Sequence, residues 1–288
     1  MERFDKIKEL KAAIEKKTEE ERDGLRLQLY SLTSDWLVQL PIFREVFQPE
    51  EIDWLLLEAA KKLTKESVQF IKSVARSGYK DGLKHNEDGN RTTAVHYAAD
   101  KDVLKDLFVI YNRCDVNYVD ESTGVSHFHV ACEFGFGDVA KKFLDHGVDL
   151  KDPWPASGDS PLHLAVEDGN RSLIELVLKR GANVNSSNIY GMTPVHIIAS
   201  TENEDLATFF FKICDDLQLT VQIDARDAWH NTPLHVALKH GNQRVVELLL
   251  RRGANPNLIG EEGKSPLHLI CERASSQEEL LAMFPRLA

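Results

Sequence analysis

The sequence is poor in the features that mark several large classes of protein. Cys114, Cys132, Cys214 and Cys271 are the only cysteines in 288 residues, too few for a disulfide framework. A reducing compartment fits best, with the cytoplasm expected and the nucleus as the alternative. No apolar run approaches the roughly 20 residues of a membrane span. The charged stretch after Met1 lacks the apolar centre of a secretory signal. Ten prolines and 16 glycines are too few for a collagen-like or freely flexible chain. Positive charge is also in short supply: 35 Lys and Arg against 46 Asp and Glu leave a net charge of −11. That disfavours nucleic acid, whose phosphates call for clustered cations, and disfavours an anionic membrane surface. Phosphate-binding loops, G-x-S-x-G elbows, H-E-x-x-H pairs and Cys-x-x-Cys pairs are missing. The expectation is a protein that is not an enzyme and needs no cofactor and no metal.

What is present is a folded composition, 42% hydrophobic and 28% charged, with its charge unevenly placed. Residues 1–80 hold 15 basic and 15 acidic side chains; the other 208 hold 20 and 31. The shift marks a boundary near residues 80–90, where the polar stretch Gly78–Arg91 carries three glycines and reads as a linker or long loop.

Beyond that boundary the chain repeats itself. Thr193–Ala199 (TPVHIIA), Thr232–Leu238 (TPLHVAL), Ser160–Val166 (SPLHLAV) and Ser265–Cys271 (SPLHLIC) are four clear copies. Thr93–Ala99 (TAVHYAA) and His127–Glu133 (HFHVACE) are weaker ones. Their shared histidines, His96, His129, His163, His196, His235 and His268, follow at intervals of 33, 34, 33, 39 and 33 residues. A second phrase recurs in phase, RGANVN at Arg180–Asn185 and RGANPN at Arg252–Asn257.

This pattern resembles the ankyrin repeat, a unit of about 33 residues with a T-P-L-H-x-A signature. The resemblance covers roughly residues 89–288, about six copies. The worn early copies and one irregular insertion are similar to multi-repeat ankyrin proteins of arthropods. The fold it implies is an all-α solenoid of stacked helix-turn-helix units with hairpin-like turns, after a helical N-terminal segment. Residue chemistry leads the same way. Thr232 is placed to cap a helix with its hydroxyl and Pro233 suits the first helical position. Gly241 and Asn242 end that helix. Val245, Val246, Leu248, Leu249 and Leu250 recur at helical spacing, with Arg251 and Arg252 favourable in the last turn. One such pair cannot bury its own apolar face, but stacked neighbours can.

Several departures carry expectations. The first copy has Ala94 in place of Pro and no glycine between its helices. The second has His127 and Phe128 where Thr-Pro is usual, so its first helix should lose a good cap. Six extra residues around Asp215–Gln222 should enlarge a loop. Gln277–Phe284 should form a last helix, stopped by Pro285. Upstream, Glu51–Leu63 and Lys65–Ser77 read as two helices, making residues 32–88 a capping region or a degenerate repeat. In residues 1–31 the stripe Phe4, Ile7, Leu10 and Ile14 is weak and Glu15–Gly24 holds no apolar residue. A charged, solvated helix is expected there, with a coiled coil as the alternative.

The six histidines lie a full repeat apart, and the resemblance implies a structural role, bonding to the loops of neighbouring units. His127 and His129 form an H-x-H pair, and Asp159, Ser160 and His163 superficially suggest a triad. Ser160 stands at a cap position, where its hydroxyl should meet backbone N–H. Cys132 and Cys271 occupy core-like positions and are expected to be buried thiols.

The resemblance further implies that a protein partner meets the concave face and the hairpin tips. By position this gives Ile189, Tyr190 and Met192 at the fourth tip, Ala228, Trp229 and Asn231 at the fifth, and Glu261, Glu262 and Lys264 at the sixth. The third tip offers Ala156, Ser157 and Asp159. First-helix ends add Glu167, Asp168, Ser200, Thr201, Lys239, His240, Glu272 and Arg273. Tyr190, Met192 and Trp229 stand out on turns that are normally polar. The acidic array suggests a partner with basic patches; a monomer is expected. Sequestration of a transcription factor and an adaptor role in a ubiquitin-ligase or signalling assembly are the alternative functions.

Overall fold

Polar caps and apolar stripes cut the chain into short helices. The computed structural model describes residues 2–15, 19–34, 46–81, 91–201 and 203–272. Among these residues every regular element is helical, and one isolated antiparallel bridge pairs Val119 with Ser126. The chain divides into two compact units, Met1–Val130 and Ala131–Ala288.

In the first unit, α1 (Glu2–Glu15) packs on α2 (Glu19–Ser34), and α2 packs on α4 (Lys65–Arg76). Ile7, Leu10 and Ile14 share one face of α1 at helical spacing and all three are buried. On α2, Leu29 and Tyr30 are buried; Tyr30 stacks on Phe70 at 4.7 Å and donates its hydroxyl to Leu55 O at 3.1 Å. The expected solvated helix is therefore corrected. Few apolar residues suffice because α2 supplies a second strip and Arg26 pairs with Glu58 while lying over the Trp54 ring. α3 (Pro49–Lys61) and α4 match the two expected helices, and Thr64 caps α4, accepting from Ser67 N. Ile52, Leu56, Phe70, Ile71 and Val74 are fully buried between them. Each such side chain contributes roughly 1.5–3 kcal/mol on leaving water.

The first copy departs most from the pattern. With Ala94 in place of Pro, its first helix shrinks to a 3-10 turn, Ala94–His96. Asp100 then caps α5 (Lys101–Ile110) at once, its Oδ1 accepting from Val103 N at 2.9 Å. In the second copy, α6 (His127–Glu133) keeps a cap. Ser126, one residue earlier than Thr-Pro was sought, donates its N–H to His129 Nδ1 at 3.1 Å, and its Oγ accepts from His129 N at 3.3 Å. His127 stands in the proline position and Phe128 in the leucine position, which corrects the expected loss.

The second unit continues with α7 (Gly137–Asp145), α8 (Pro161–Glu167), α9 (Arg171–Lys179), α10 (Pro194–Ser200), α11 (Glu204–Asp216), α12 (Pro233–His240), α13 (Gln243–Arg251) and α14 (Pro266–Glu272). Each first helix packs on the next first helix, α8 on α10, α10 on α12 and α12 on α14. The second helices α7, α9, α11 and α13 do the same. The six-residue insertion mostly lengthens a helix. α11 has 13 residues against nine in α9 and α13, so four of the six are helical and only two enter the following turn. Ile213 and Cys214 extend the buried stripe into that extra turn, beyond Phe210 and Phe211. The thiols divide differently from expectation: Cys114, Cys132 and Cys214 are buried, and Cys271 is exposed. The helix anticipated at Gln277–Phe284 and the side chains of Glu272 and Arg273 lie outside the described residues.

Candidate protein-binding surface

The hairpin tips are held by a bond pattern that recurs with the repeat. Cap N–H groups donate to the signature histidines: Thr93 to His96 Nδ1 at 3.0 Å, Ser160 to His163 at 3.1 Å, Thr193 to His196 at 3.0 Å, and Thr232 to His235 at 3.2 Å. Because Nδ1 accepts, the ring proton sits on Nε2. That nitrogen donates to a carbonyl at the base of the next tip: Tyr118 O at 3.2 Å, Met192 O at 2.9 Å, Asn231 O at 3.2 Å and Lys264 O at 3.3 Å. Burial holds all four imidazoles below their ordinary value of 6.5, which keeps them neutral. Ser265 repeats the bond to His268 at 3.2 Å. The cap hydroxyls turn to the ring: Ser160 Oγ lies 2.7 Å from His163 Nδ1 and Thr232 Oγ1 2.9 Å from His235 Nδ1. The resemblance of Asp159, Ser160 and His163 to a triad is thus one instance of a frame that each copy rebuilds. His127 and His129 have separate partners, His127 Nε2 lying 2.6 Å from Thr93 Oγ1.

A second fastening was not anticipated. Asn170, Asn203 and Asn242 cap the second helices, Oδ1 accepting from Leu173 N, Leu206 N and Val245 N. The same amides cross to the preceding copy: Asn170 Nδ2 donates to Gly135 O at 2.8 Å, and Asn242 Nδ2 to Thr201 O at 2.7 Å. Asn242 begins α13, whereas the sequence reading had it ending α12. The Asn three residues before Leu or Val at each of these sites was the available signal.

On this frame the tips run in series. Ile189 N donates to Ser157 O at 3.0 Å, Ala228 N to Tyr190 O at 2.8 Å, and Glu261 N to Asn231 Oδ1 at 3.2 Å. Gly191 has φ +70°, and a Cβ there would stand 2.9 Å from Ala228 N, so glycine lets the fifth tip close on the fourth. Within tips, Asn188 Oδ1 accepts from Tyr190 N and Met192 N, and Asp227 Oδ1 from Trp229 N and Asn231 N. Tyr190 and Trp229 stack with centroids 6.1 Å apart and planes inclined by 14°, yet each stays 47% exposed; Ile189 is 62% exposed. Ala228, His240, Glu261 and Glu262 are exposed; Met192, Lys239 and Lys264 are half-buried. Lys239 pairs with Glu261 at 2.5 Å and Lys264 with Glu262 at 2.9 Å. Asn231 is 4% exposed. It belongs to the internal bracing of the tip and offers no contact surface.

Charge is sorted across the second unit. Along the second helices several cations are paired: Lys141 with Asp145 at 3.1 Å, Arg180 with Asp145 at 2.5 Å, Arg252 with Asp215 at 2.5 Å, and Lys179 with Glu175 and Arg251 with Glu247 within single helices. The first-helix ends carry Glu133, Glu167 and Asp168, all exposed. Partial desolvation of the carboxyl and the Glu167 charge raise Glu133 above its usual range. Beside them a cleft of about 600 Å³ is lined by Glu167, Asp168, Asn203, Asp205 and Arg244.

Comparison with known proteins agrees with the repeat geometry. The family described as "Ankyrin repeats (3 copies)" matches in overlapping registers over residues 95–188, 128–220, 162–260 and 195–283. The chain belongs to the ankyrin-repeat family. Its fold is the all-α ankyrin solenoid, and such repeats are generally protein–protein interaction modules. The mouse ankyrin repeat and SOCS box protein 11 is 31% identical over 122 residues, 42% of this chain and 36% of that protein. The Drosophila melanogaster transient receptor potential cation channel subfamily A member 1 is 30% identical over 121 residues, 42% of this chain and 10% of the channel. The Legionella pneumophila phosphocholine transferase AnkX is 29% identical over 147 residues, 51% of this chain and 15% of that protein. The matches thus span little more than a third, or less, of these relatives. No helix among the described residues is long and apolar enough to cross a membrane.

Proposed function

We propose that this ankyrin-repeat chain is a non-enzymatic binding module that holds a protein partner against its hairpin tips and first helices. The observation that carries the reading is where apolar surface is left open. In the second unit, the large apolar side chains left exposed among the described residues are Ile189, Tyr190, Trp229, Ile259 and Leu267. They lie at or beside tips or on the last first helix, and the second helices have none. Aromatic anchors of this kind carry a large share of binding energy at protein interfaces. The partner surface is basic, complementing the exposed carboxylates of Glu133 and Glu167 at the first-helix ends.

The test is affinity capture from cell lysate at two salt concentrations, comparing wild type with the double variant Tyr190→Ala, Trp229→Ala. A basic protein retained by wild type, released by salt and lost from the variant supports the reading. Equal retention by both chains contradicts it. An adaptor role draws support from the SOCS-box relative. Capture of ligase components, held equally by wild type and variant, would favour that role.

A further inference from the structure

Given the binding reading above, we infer that this face selects a short extended segment of its partner, carrying one large apolar side chain and one Lys or Arg three to five residues away. Two chemically different subsites require it, one on the fourth and fifth tips and one on the first helices of the second and third copies. One is the stacked Tyr190 and Trp229 pair with Ile189 beside it, a flat apolar platform open to solvent on rigid tips. The other is the carboxylate pair Glu133 and Glu167, on the ends of adjacent first helices. Neither is paired with a cation among the described residues. Their like charges repel, and an incoming ammonium or guanidinium relieves the repulsion while gaining charge-assisted bonds. Lys141, Lys179, Arg180, Arg251 and Arg252 along the second helices are already paired, as are Lys239 and Lys264 on this face.

The spacing follows from the frame. His163 bonds Met192 O at 2.9 Å, so the base of the fourth tip sits beside the first turn of α8. Glu167 lies four residues further along α8, about 6 Å of helical rise. Tyr190 lies two residues before Met192, at most about 7 Å of chain. Tyr190 and Glu167, the nearest members of the two subsites, are therefore on the order of 10–15 Å apart, which an extended chain covers in about three to five residues at roughly 3.3 Å each.

The experiment is selection of a displayed library of random 12-residue peptides on the full chain. Enriched peptides are then made synthetically and titrated by fluorescence anisotropy. The expected result is enrichment of Leu, Phe, Tyr or Trp together with Lys or Arg at a separation of three to five. Replacing that Lys or Arg by Gln should weaken binding by about tenfold. The double variant Glu133→Gln, Glu167→Gln, with an unchanged melting temperature, should lose the same factor and no longer distinguish the two peptides. Peptides that need Trp229 but bind equally with Gln, or show no preferred separation, overturn this inference and leave the binding surface intact. A selection without enrichment also overturns it. Peptides that bind the Tyr190→Ala, Trp229→Ala variant as tightly as wild type overturn the surface as well.

Discussion

At the scale of single residues, the structure relies on imidazoles that stay neutral. His96, His163, His196 and His235 each accept at Nδ1 and donate at Nε2, an arrangement that a second ring proton destroys. Their folded values lie below 6.5 because of burial, while the unfolded chain titrates near 6.5. Below that pH the unfolded state binds more protons. The stabilisation is therefore complete above about pH 6.5 and is lost as pH falls toward the folded values. Urea unfolding at pH 7 and pH 5 should differ by at least about 1 kcal/mol, with the lower stability at pH 5. Equal midpoints and slopes would contradict the neutral frame. Arg91 makes the opposite kind of prediction. Its Nη1 bonds both oxygens of Asp81 at 3.1 Å, and Nη2 makes an ionic contact with Asp53 at 2.7 Å, poorly aligned for a hydrogen bond. Tyr118 also donates to Asp81 at 2.7 Å, and Tyr111 to Asp53. Arg91→Met leaves two carboxylates without their cation and should cost about 3–5 kcal/mol, read from chemical denaturation. This cluster has no signature in the sequence, because its members are spread along the chain and none has motif spacing.

At the scale of elements, legibility followed periodicity. The T-P-L-H copies announced their helices because cap, proline and apolar face stand within one short phrase. The helix pair at Pro49–Lys61 and Lys65–Arg76 was readable for the same reason. Two readings slipped where a neighbouring element decided the outcome. The α2 surface buries a stripe on α1 too weak to signal packing by itself, and α11 takes up most of the insertion because Ile213 and Cys214 extend its buried stripe. In the second copy the cap, Ser126, stands outside a Thr-Pro phrase, so the sequence pattern does not mark it. Gly-Asn reads equally well as a helix stop, which hides the asparagine caps. Asn242→Ala removes a cap and a bond to the preceding copy together. It should cost about 1–2 kcal/mol, measured by thermal or urea unfolding; a change within a few tenths would show the crossing bond to be idle. Gly191→Ala meets both the positive φ and the Ala228 backbone, so it should be destabilising, with the loss of hydrogen-exchange protection concentrated at the fourth and fifth tips.

At the scale of the whole molecule, function rests on how surface is apportioned within the second unit. Second helices pair several of their cations and cover their apolar residues; tips and first helices keep aromatic faces and carboxylates open. Tyr190 and Trp229 were legible as anchors because large aromatics on a turn are conspicuous. The interior position of Asn231 was not legible, since it depends on the Asp227 turn and on the following tip. Salt should weaken partner binding by screening the carboxylates, while Trp229→Ala should weaken it at every salt concentration, by at least about tenfold, with stability reduced by no more than about 1.5 kcal/mol. The most direct measurement is hydrogen exchange of the chain with and without its captured partner. Binding should slow exchange at residues 186–192 and 226–232 and along the first helices, and leave α9 and α13 unchanged. Protection confined to the second helices would contradict the proposed surface.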